Sequence, residues 1–294
     1  MDSEKARRIS EGRGFIAALD QSGGSTPKAL AAYGITPDTY STEAEMFDLM
    51  HQMRARILQA PAFDGERVIG SILFEATMER TVAGMPTPDY LWKTKRIVPF
   101  VKVDQGLAQE HDGVQLMKPL TKLGSLLRRA NIQGVFGTKM RSVIKSASQS
   151  GVSAILDQQF DTALEILRSD LVPILEPEVD IHSPDKADSE QLLEQGIAAR
   201  LDMVPDGQQV MLKLSLPTHD GLYTKLVHHP KVMRVLALSG GYSRTEASAL
   251  LARNPGVTAS FSRALTEGLT ADQSDEEFDT ILRDAVAEIA AASD

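Results

Sequence analysis

Short apolar segments recur along the chain, and each is followed by polar residues. They cover residues 15–20, 68–75, 98–104, 134–141, 172–178, 209–215, 234–239 and 257–263. Their length and their content of β-branched residues are typical of strands that are buried in a sheet. The pattern therefore predicts eight strands.

The stretches between most of these strands have the hydrophobic period of a helix. The predicted helices cover residues 43–59, 122–131, 153–168, 189–203, 243–253 and 276–292. Strands that alternate with helices form parallel sheets with crossover helices. Eight repeats of one unit favour a closed barrel over an open doubly wound sheet, and no Gly-x-Gly-x-x-Gly turn follows the first strand. We predict an α/β fold: a single (β/α)₈ TIM barrel domain with parallel strands over residues 1–294.

Composition narrows the functional class. The 294 residues carry a formal net charge of −9, with 31 basic and 40 acidic side chains. This balance disfavours a nucleic-acid partner, because phosphate neutralisation needs clustered lysines and arginines. The sequence has no cysteine, which fits a reducing cytoplasm. No apolar stretch resembles a membrane span or a signal core. We therefore expect a cytoplasmic protein with no nucleic-acid or membrane partner.

One lysine lies inside an apolar strand. Lys213 stands between Leu212 and Leu214 in the sixth predicted strand. Burial disfavours the charged form of a lysine, and a neutral amine attacks carbonyl carbons. A Schiff-base enzyme is therefore the first hypothesis. A lysine that is paired with a carboxylate across the core is the structural alternative.

Charged residues two positions apart end several predicted strands. Side chains at i and i+2 of a strand face the same way, so both can point into the catalytic mouth of a barrel. The pairs are Lys102 with Asp104, Lys139 with Arg141, Glu176 with Glu178 and Lys213 with Ser215, and Asp20 ends the first strand. Any one pair could be a static ion pair, but five strands that supply polar groups to one mouth indicate a reaction centre. We expect the converging lysines to lower one another's pKa.

Two glycine-containing turns predict anion sites. Ser239-Gly240-Gly241 joins the seventh strand to a helix, where main-chain amides can bind phosphate and Arg263 can add a guanidinium. Phosphate sites in barrels commonly occupy this position. Ser22-Gly23-Gly24-Ser25 follows Asp20 and is a second candidate. Each could also be a plain turn. An amine, proton-shuttling carboxylates and spare cations together favour aldol chemistry on a phosphorylated sugar.

Seven short motifs follow one another in a characteristic order between Gly12 and Leu265. They are Ala18-Leu19-Asp20, Lys102-Val103-Asp104, Lys139-Met140-Arg141, Glu176-Pro177-Glu178, Leu212-Lys213, Leu238-Ser239-Gly240-Gly241 and Arg263-Ala264-Leu265. This set resembles class I fructose-bisphosphate aldolases, which are lysine-dependent barrel enzymes of glycolysis. The resemblance implies a reversible cleavage of fructose 1,6-bisphosphate to dihydroxyacetone phosphate and glyceraldehyde 3-phosphate, without metal or cofactor.

The same resemblance implies a role for each candidate residue. Lys213 corresponds to the imine-forming lysine and Glu176 to the acid and base of carbinolamine dehydration. Asp20 corresponds to the group that manages the C4 hydroxyl, and Lys139 to the cation beside the carbinolamine. Glu178 is expected to orient and charge-balance the lysines. The implied substrate-binding residues are Ser239, Gly240, Gly241 and Arg263 for the C1 phosphate, Ser22, Ser25 and Lys102 for the C6 phosphate, and Arg141.

The sequence departs from the animal members of this family at several positions. Gln21, Met140 and Ser262 stand where those enzymes carry Glu, Trp and Gly. The C-terminal tyrosine that animal members use in proton exchange has no counterpart, so the resemblance does not supply the group for that step. The tetramers of the family imply a homo-oligomer here as an expectation.

Three other hypotheses stay open on the residues alone. A metal-dependent aldolase would need several ligands, but the six histidines show no His-x-x-x-His spacing, and His228-His229 favours a surface pair. A transaldolase-like Schiff-base barrel would still be labelled at Lys213 but would prefer another sugar phosphate. A barrel without catalysis would be a binding or scaffold protein, which the joint presence of the catalytic set disfavours.

Overall fold

Eight parallel strands form the central sheet of the computed structural model, which describes residues 2–293. They are β1 (Phe15–Leu19), β2 (Val68–Leu73), β3 (Val98–Lys102), β4 (Gly137–Ile144), β5 (Val172–Val179), β6 (Val210–Ser215), β7 (Val232–Leu238) and β8 (Val257–Ala259). Their order in the sheet is their order along the chain. The main-chain N–H of Ala18 donates to the carbonyl of Phe261 at 3.1 Å, which joins β1 to the segment after β8. The predicted (β/α)₈ barrel is confirmed, and the prediction of one domain stays a prediction.

Helices follow the strands and cover the outside of the barrel. They are α1 (Ser3–Glu11), α2 (Thr26–Ala32), α3 (Glu43–Gln59), α4 (Glu75–Met78), α5 (Thr87–Asp89), α6 (Leu123–Ile132), α7 (Gln149–Leu167), α8 (Lys186–Arg200), α9 (Thr224–Val227), α10 (Arg244–Leu251), α11 (Arg263–Thr266) and α12 (Asp275–Ala292). Capping boxes open three of the predicted helices, because Thr42, Ser243 and Ser274 each stand three residues before a glutamate. The six predicted helices are present, with ends that differ by a few residues.

Shorter strands and single helical turns lie between these main elements. Two 2-residue strands, Thr81–Val82 and Met85–Pro86, pair with each other, and Val114–Gln115 pairs antiparallel with β4. Single turns of 3-10 helix cover Gly23–Ser25, Pro37–Thr39 and Leu201–Met203, and a π-helical turn covers Tyr90–Thr94. Among residues 2–293, no helix has the length and apolar character that crossing a membrane requires.

Two apolar layers set the position of the site. One fills the lower part of the barrel and includes Ile16, Phe100, Ile174 and Met211, all fully buried. The other lies between the sheet and the helices. Because strand side chains alternate, the residue two positions after Met211 also points into the barrel, one layer higher. That residue is Lys213, so the charged side chains lie on top of an apolar plug and face the mouth.

Candidate active site

Four charged side chains from four strands form one continuous chain of ion pairs in the barrel. The Nζ atom of Lys139 lies 2.6 Å from Asp20 Oδ2 and 2.8 Å from Glu176 Oε2. The other oxygen of that carboxylate, Glu176 Oε1, lies 3.0 Å from Lys213 Nζ. All four side chains are buried. The structure thus brings together Asp20, Lys139, Glu176 and Lys213, as the spacing of polar residues at the strand ends predicted.

A break between β5 and β6 shapes this part of the site. The parallel ladder between these strands ends at Leu175 and Leu212, one residue before Glu176 and Lys213. The hydroxyl of Ser215 closes the gap, since it donates to the carbonyl of Val179 at 2.6 Å and accepts from the N–H of the same residue at 3.0 Å. Ser215 therefore holds the two strands together beside the carboxylate and the amine.

The charges in the ion chain stabilise one another. Burial alone raises the pKa of Asp20 and Glu176, but the ammonium groups of Lys139 and Lys213 outweigh it and hold both pKa values below the ordinary range. Burial alone lowers the pKa of Lys139, yet the carboxylates of Asp20 and Glu176 raise it above its ordinary value. The expectation that the lysines lower one another's pKa is therefore wrong for Lys139, because two carboxylates flank it.

Glu178 lies nearer the mouth and contacts an arginine. Its Oε2 accepts a hydrogen bond of 2.5 Å from Nε of Arg141. Glu178 stands two residues after Glu176, so its side chain lies one layer higher, beyond the lysines. Its ion-pair partner is thus Arg141, and the expected role of Glu178 in orienting and charge-balancing the lysines stays a prediction. Burial alone lowers the pKa of Arg141, but Glu178 raises it above its ordinary value, so this guanidinium remains charged at the mouth.

A carboxylate also holds Lys102. Its Nζ donates to Asp104 Oδ1 at 2.5 Å and to the carbonyl of Asp104 at 2.8 Å. The second oxygen of the carboxylate accepts from the main-chain N–H of Arg141 at 3.2 Å. Asp104 thus links the ends of β3 and β4. The Lys-x-Asp spacing was the sequence signal for this pair, although the sequence implied a role for Lys102 alone.

The turn after β7 places two glycines beside the guanidinium of Arg263. Gly240 and Gly241 have φ angles of 62° and 129°, a region that side chains disfavour. A Cβ atom on Gly240 would lie 2.5 Å from Cγ2 of Ile181, and one on Gly241 would lie 3.7 Å from Nη2 of Arg263. Arg263 is exposed, and no acidic group within residues 2–293 forms an ion pair with it. The structure thus brings together Ser239, Gly240, Gly241 and Arg263.

The serines after Asp20 close a small turn. The N–H of Ser22 donates to Oγ of Ser25 at 3.0 Å, and that hydroxyl donates back to the carbonyl of Ser22 at 2.9 Å. Gly23 and Gly24 lie between them and are exposed. The two serines are therefore adjacent at the end of β1 that carries Asp20, and the predicted anion site at this turn stays a prediction.

Comparison with known proteins identifies the family. Residues 3–186 match the family model described as fructose-bisphosphate aldolase class-I. The chain is also 57% identical over 292 residues to the "Fructose-bisphosphate aldolase class 1" of Synechocystis sp., covering 99% of this chain and 97% of that protein. The chain belongs to the class I fructose-bisphosphate aldolase family. The protein of the same name from Porphyromonas gingivalis is 54% identical over 293 residues, covering 100% of this chain and 99% of that protein.

Solved structures support the same fold. A fructose-bisphosphate aldolase from Plasmodium falciparum superposes with a TM-score of 0.80 at 20% identity, covering 98% of this chain and 92% of that chain. An archaeal fructose-1,6-bisphosphate aldolase gives a TM-score of 0.54 at 13% identity, covering 98% of this chain and 99% of that chain. The predicted family, and with it the predicted enzyme class of a lyase, are confirmed.

One buried cation of this aldolase family member was not among the predicted site residues. Arg54 lies on α3, is 2% exposed and donates to the carbonyl of Gln21, the residue after Asp20. A weak sequence signal exists, because residue 54 falls four after Met50 and three before Ile57, on the apolar face of the helix. Sequence periodicity cannot tell which end of the barrel such a side chain approaches.

Metal ligands are not grouped in the part of the chain that the structure describes. Within residues 2–293, no three side chains of histidine, aspartate or glutamate are placed so that they could hold a metal ion. The carboxylates of the site instead face ammonium groups. Activity in a chelator is the test of metal independence.

The ion chain predicts how stability depends on pH. The pKa values of Asp20 and Glu176 are lowered in the folded state, so their contribution is present above the ordinary values of 3.8 and 4.5 and is lost as pH falls through the lower folded values. We expect the free energy of unfolding to fall by roughly 1–3 kcal/mol between pH 5 and pH 3. Asp20→Asn should make this slope shallower in urea titrations, and the exposed Asp161→Asn should not. If the unaltered protein, Asp20→Asn and Asp161→Asn all had the same slope, the ion chain would not be the source of this pH dependence.

The glycine turn gives a second prediction. Gly240→Ala should raise the KM for fructose 1,6-bisphosphate ~10-fold, because the positive φ and the contact with Ile181 force the turn to shift. Gly207 is a matched control, since it has a φ of 76° and no atom within 4 Å of an added Cβ. Gly207→Ala should lose similar stability in thermal melts and keep its KM. A Gly240→Ala enzyme with an unchanged KM would remove this turn from the binding site.

Proposed function

We propose that this chain cleaves fructose 1,6-bisphosphate reversibly to dihydroxyacetone phosphate and glyceraldehyde 3-phosphate through an imine at Lys213. The main support for this proposal is the contact of 3.0 Å between Lys213 Nζ and Glu176 Oε1. This contact lies at the end of an ion chain that also holds Lys139 and Asp20. An amine beside a proton acceptor in a buried site is the arrangement that Schiff-base chemistry needs. The reaction belongs to glycolysis and gluconeogenesis.

Imine formation begins with a proton transfer. Glu176 Oε1 accepts a proton from Lys213, and the neutral amine attacks the C2 carbonyl to give a carbinolamine. The protonated Glu176 then returns the proton to the C2 hydroxyl, which leaves as water and produces the protonated imine. Oε2 of Glu176 lies 2.8 Å from Nζ of Lys139, so each oxygen of this carboxylate faces one ammonium group. Lys139 keeps its charge and stabilises negative charge on the oxygen.

Carbon–carbon cleavage uses the other end of the ion chain. The carboxylate of Asp20 removes the proton of the C4 hydroxyl, the C3–C4 bond breaks, and its electron pair enters the imine to form an enamine. Glyceraldehyde 3-phosphate leaves as the aldehyde. Protonation of C3 and hydrolysis of the imine then release dihydroxyacetone phosphate. Lys139 and Lys213 hold the pKa of Asp20 below its ordinary value, so Asp20 is a carboxylate at neutral pH, which is the form that a proton acceptor requires.

Two sets of donors are available for the two phosphates. Arg263 beside the turn at Ser239-Gly240-Gly241 fits the C1 phosphate, since main-chain amides and a guanidinium both bind phosphate oxygens. The turn at Ser22–Ser25 with Lys102 fits the C6 phosphate. The charged Arg141 at the mouth is a further substrate-binding cation. With two sets of phosphate donors at the same mouth of the barrel, we expect the enzyme to prefer a substrate that carries two phosphates.

Covalent trapping tests this function directly. The protein is incubated with dihydroxyacetone phosphate and EDTA, reduced with sodium borohydride and mapped by peptide mass spectrometry. We expect one adduct, on the peptide that contains Lys213, and none when the ketose phosphate is omitted. A folded protein without an adduct would contradict the imine mechanism. Assays with and without divalent metal would then separate a metal-assisted reaction from a barrel that only binds.

The cellular setting follows from composition. We also propose that the chain acts in the cytoplasm, since its lack of cysteine fits a reducing compartment, and that it binds a small phosphorylated sugar without cofactor, since Lys213 and Glu176 supply the groups that imine chemistry needs. A homo-oligomer, as in the tetramers of the family, is part of this proposal. Light scattering of the purified protein would measure its mass against the 32.0 kDa of one chain.

A further inference from the structure

A buried arginine, Arg54, lies beside the site. Arg54 is 2% exposed, and no acidic group within residues 2–293 forms an ion pair with it. Its Nη1 donates to the hydroxyl of Thr77 at 2.8 Å. Its Nη2 donates to the carbonyl of Gln21 at 2.5 Å and lies 3.3 Å from Oε1 of the same residue. The guanidinium thus connects α4, the helix that follows β2, to the residue that follows Asp20.

This arrangement is costly unless the charge is used. Burial lowers the pKa of Arg54 to about 10, and the nearby negative charge of Asp20 offsets part of that effect. A guanidinium buried without a carboxylate forfeits hydration and gains only neutral acceptors. The Nε atom has no partner within residues 2–293. The position therefore stabilises the fold poorly, which points to a role in the neighbouring site.

Gln21 connects Arg54 to the segment after β8, which lies next to β1 where the barrel closes. Its Nε2 donates to Oγ of Ser262 at 2.7 Å, the residue before Arg263. A carboxamide can accept from Arg54 and donate to Ser262 at the same time, whereas a carboxylate can only accept. Gln21 and Ser262 are two of the positions that depart from the animal pattern, and here they contact each other. The two hydrogen bonds from Arg54 to Gln21 and from Gln21 to Ser262 thus join the segments after β1 and β8.

We propose that Arg54 is a positioning residue that, through Gln21 and Ser262, holds Asp20 in place for carbon–carbon cleavage. This inference rests on the proposed function. Arg54 bonds the carbonyl that directly follows Asp20, whereas Glu176 and Lys213 lie on β5 and β6, far along the strand order from β1. Loss of Arg54 therefore disturbs removal of the C4 proton and spares imine formation.

Two assays on the same variant separate these steps. Arg54→Met should lower kcat for fructose 1,6-bisphosphate cleavage ~10- to 100-fold, because small displacements of a catalytic group have effects of that size. Borohydride trapping of dihydroxyacetone phosphate on Lys213 should stay within about twofold of the unaltered protein, since it needs no C4 chemistry. Arg54→Lys keeps the charge and one donor, and it should lose less cleavage than the methionine variant.

A second arginine provides the matched control. Arg234 also donates to a threonine hydroxyl, Thr258 at 2.8 Å, and to the carbonyls of Ser10 and Gly12, but at the opposite end of the barrel. Arg234→Met should change stability without changing the ratio of cleavage to trapping.

The ratio of cleavage to trapping decides between the outcomes. A fall in this ratio in Arg54→Met, with a smaller fall in Arg54→Lys, supports the positioning role. A ratio equal to that of the unaltered protein, even if both activities drop together, overturns it and leaves a structural role. If Arg54→Met does not fold, the ratio in Arg54→Lys decides in the same way. Failure of the unaltered protein to be trapped would instead overturn the proposed function, and this inference with it.

Discussion

Lys213→Ala should abolish both cleavage and covalent trapping, with kcat for fructose 1,6-bisphosphate falling at least ~10⁴-fold. A methyl group cannot form an imine, and the neighbouring amine is a poor substitute. Lys139 lies between Asp20 and Glu176, which raise its pKa and keep it as an ammonium ion. An ammonium ion is not a nucleophile. A coupled assay of triose phosphate release and mass mapping after borohydride reduction measure the two losses.

A lysine outside the ion chain controls for the loss of a positive charge. Lys145 directly follows β4, is partly exposed and pairs with Asp180 at 2.9 Å. Lys145→Ala should keep cleavage and trapping close to those of the unaltered protein. Thermal melts should show that Lys213→Ala remains folded, because Glu176 retains its contact with Lys139. Substantial cleavage by a folded Lys213→Ala protein would exclude this residue as the nucleophile.

Glu176→Gln should lower kcat ~10²- to 10⁴-fold, the usual contribution of general acid–base catalysis. The amide cannot take the proton of Lys213 and return it to the C2 hydroxyl, so dehydration of the carbinolamine slows. Trapping should weaken as well, since borohydride reduces the imine and not the carbinolamine. Single-turnover kinetics with dihydroxyacetone phosphate would measure the slow step. A variant with unchanged turnover would remove Glu176 from the proton path.

The same substitution two residues later is the matched control. Glu178 lies on the same strand, and Glu178→Gln removes the same charge, but its partner is Arg141 at the mouth. We expect an effect on KM rather than on imine formation. Equal loss of trapping in the two glutamine variants would show that net charge, not the contact with Lys213, controls the step.

The barrel and most of its polar lining were predictable from local patterns. Strand period 2 places Lys139 with Arg141, and Glu176 with Glu178, on one face of their strands, and eight alternations of strand and helix favour closure into a barrel. Closure brings the carboxyl ends of all strands to one mouth. The candidate set Asp20, Lys139, Glu176 and Lys213 was therefore recognisable before any distance was known.

Contacts between strands and between layers were not predictable in this way. The partner of Glu178 depends on the register of β4 and β5, which places Arg141 opposite Glu176, and a register between strands cannot be read from either strand alone. The expected lowering of lysine pKa values failed at Lys139, because the sign of that effect depends on how close two carboxylates lie. The sequence does not indicate a role for Arg54, because a helix pattern shows which side chains are buried and not what they contact.

The fold class, the family and the residue types at the strand ends can be read from the amino-acid sequence, since they depend on hydrophobic period and on motifs that are local in the chain. Three contacts became visible in the folded barrel: Lys139 bridges Asp20 and Glu176, Glu178 contacts Arg141, and Arg54 reaches Gln21. Each of these contacts joins residues that are distant in sequence. Coulombic and hydrogen-bond energies change steeply over a few ångströms, so charges and proton affinities in the site follow from packing rather than from composition.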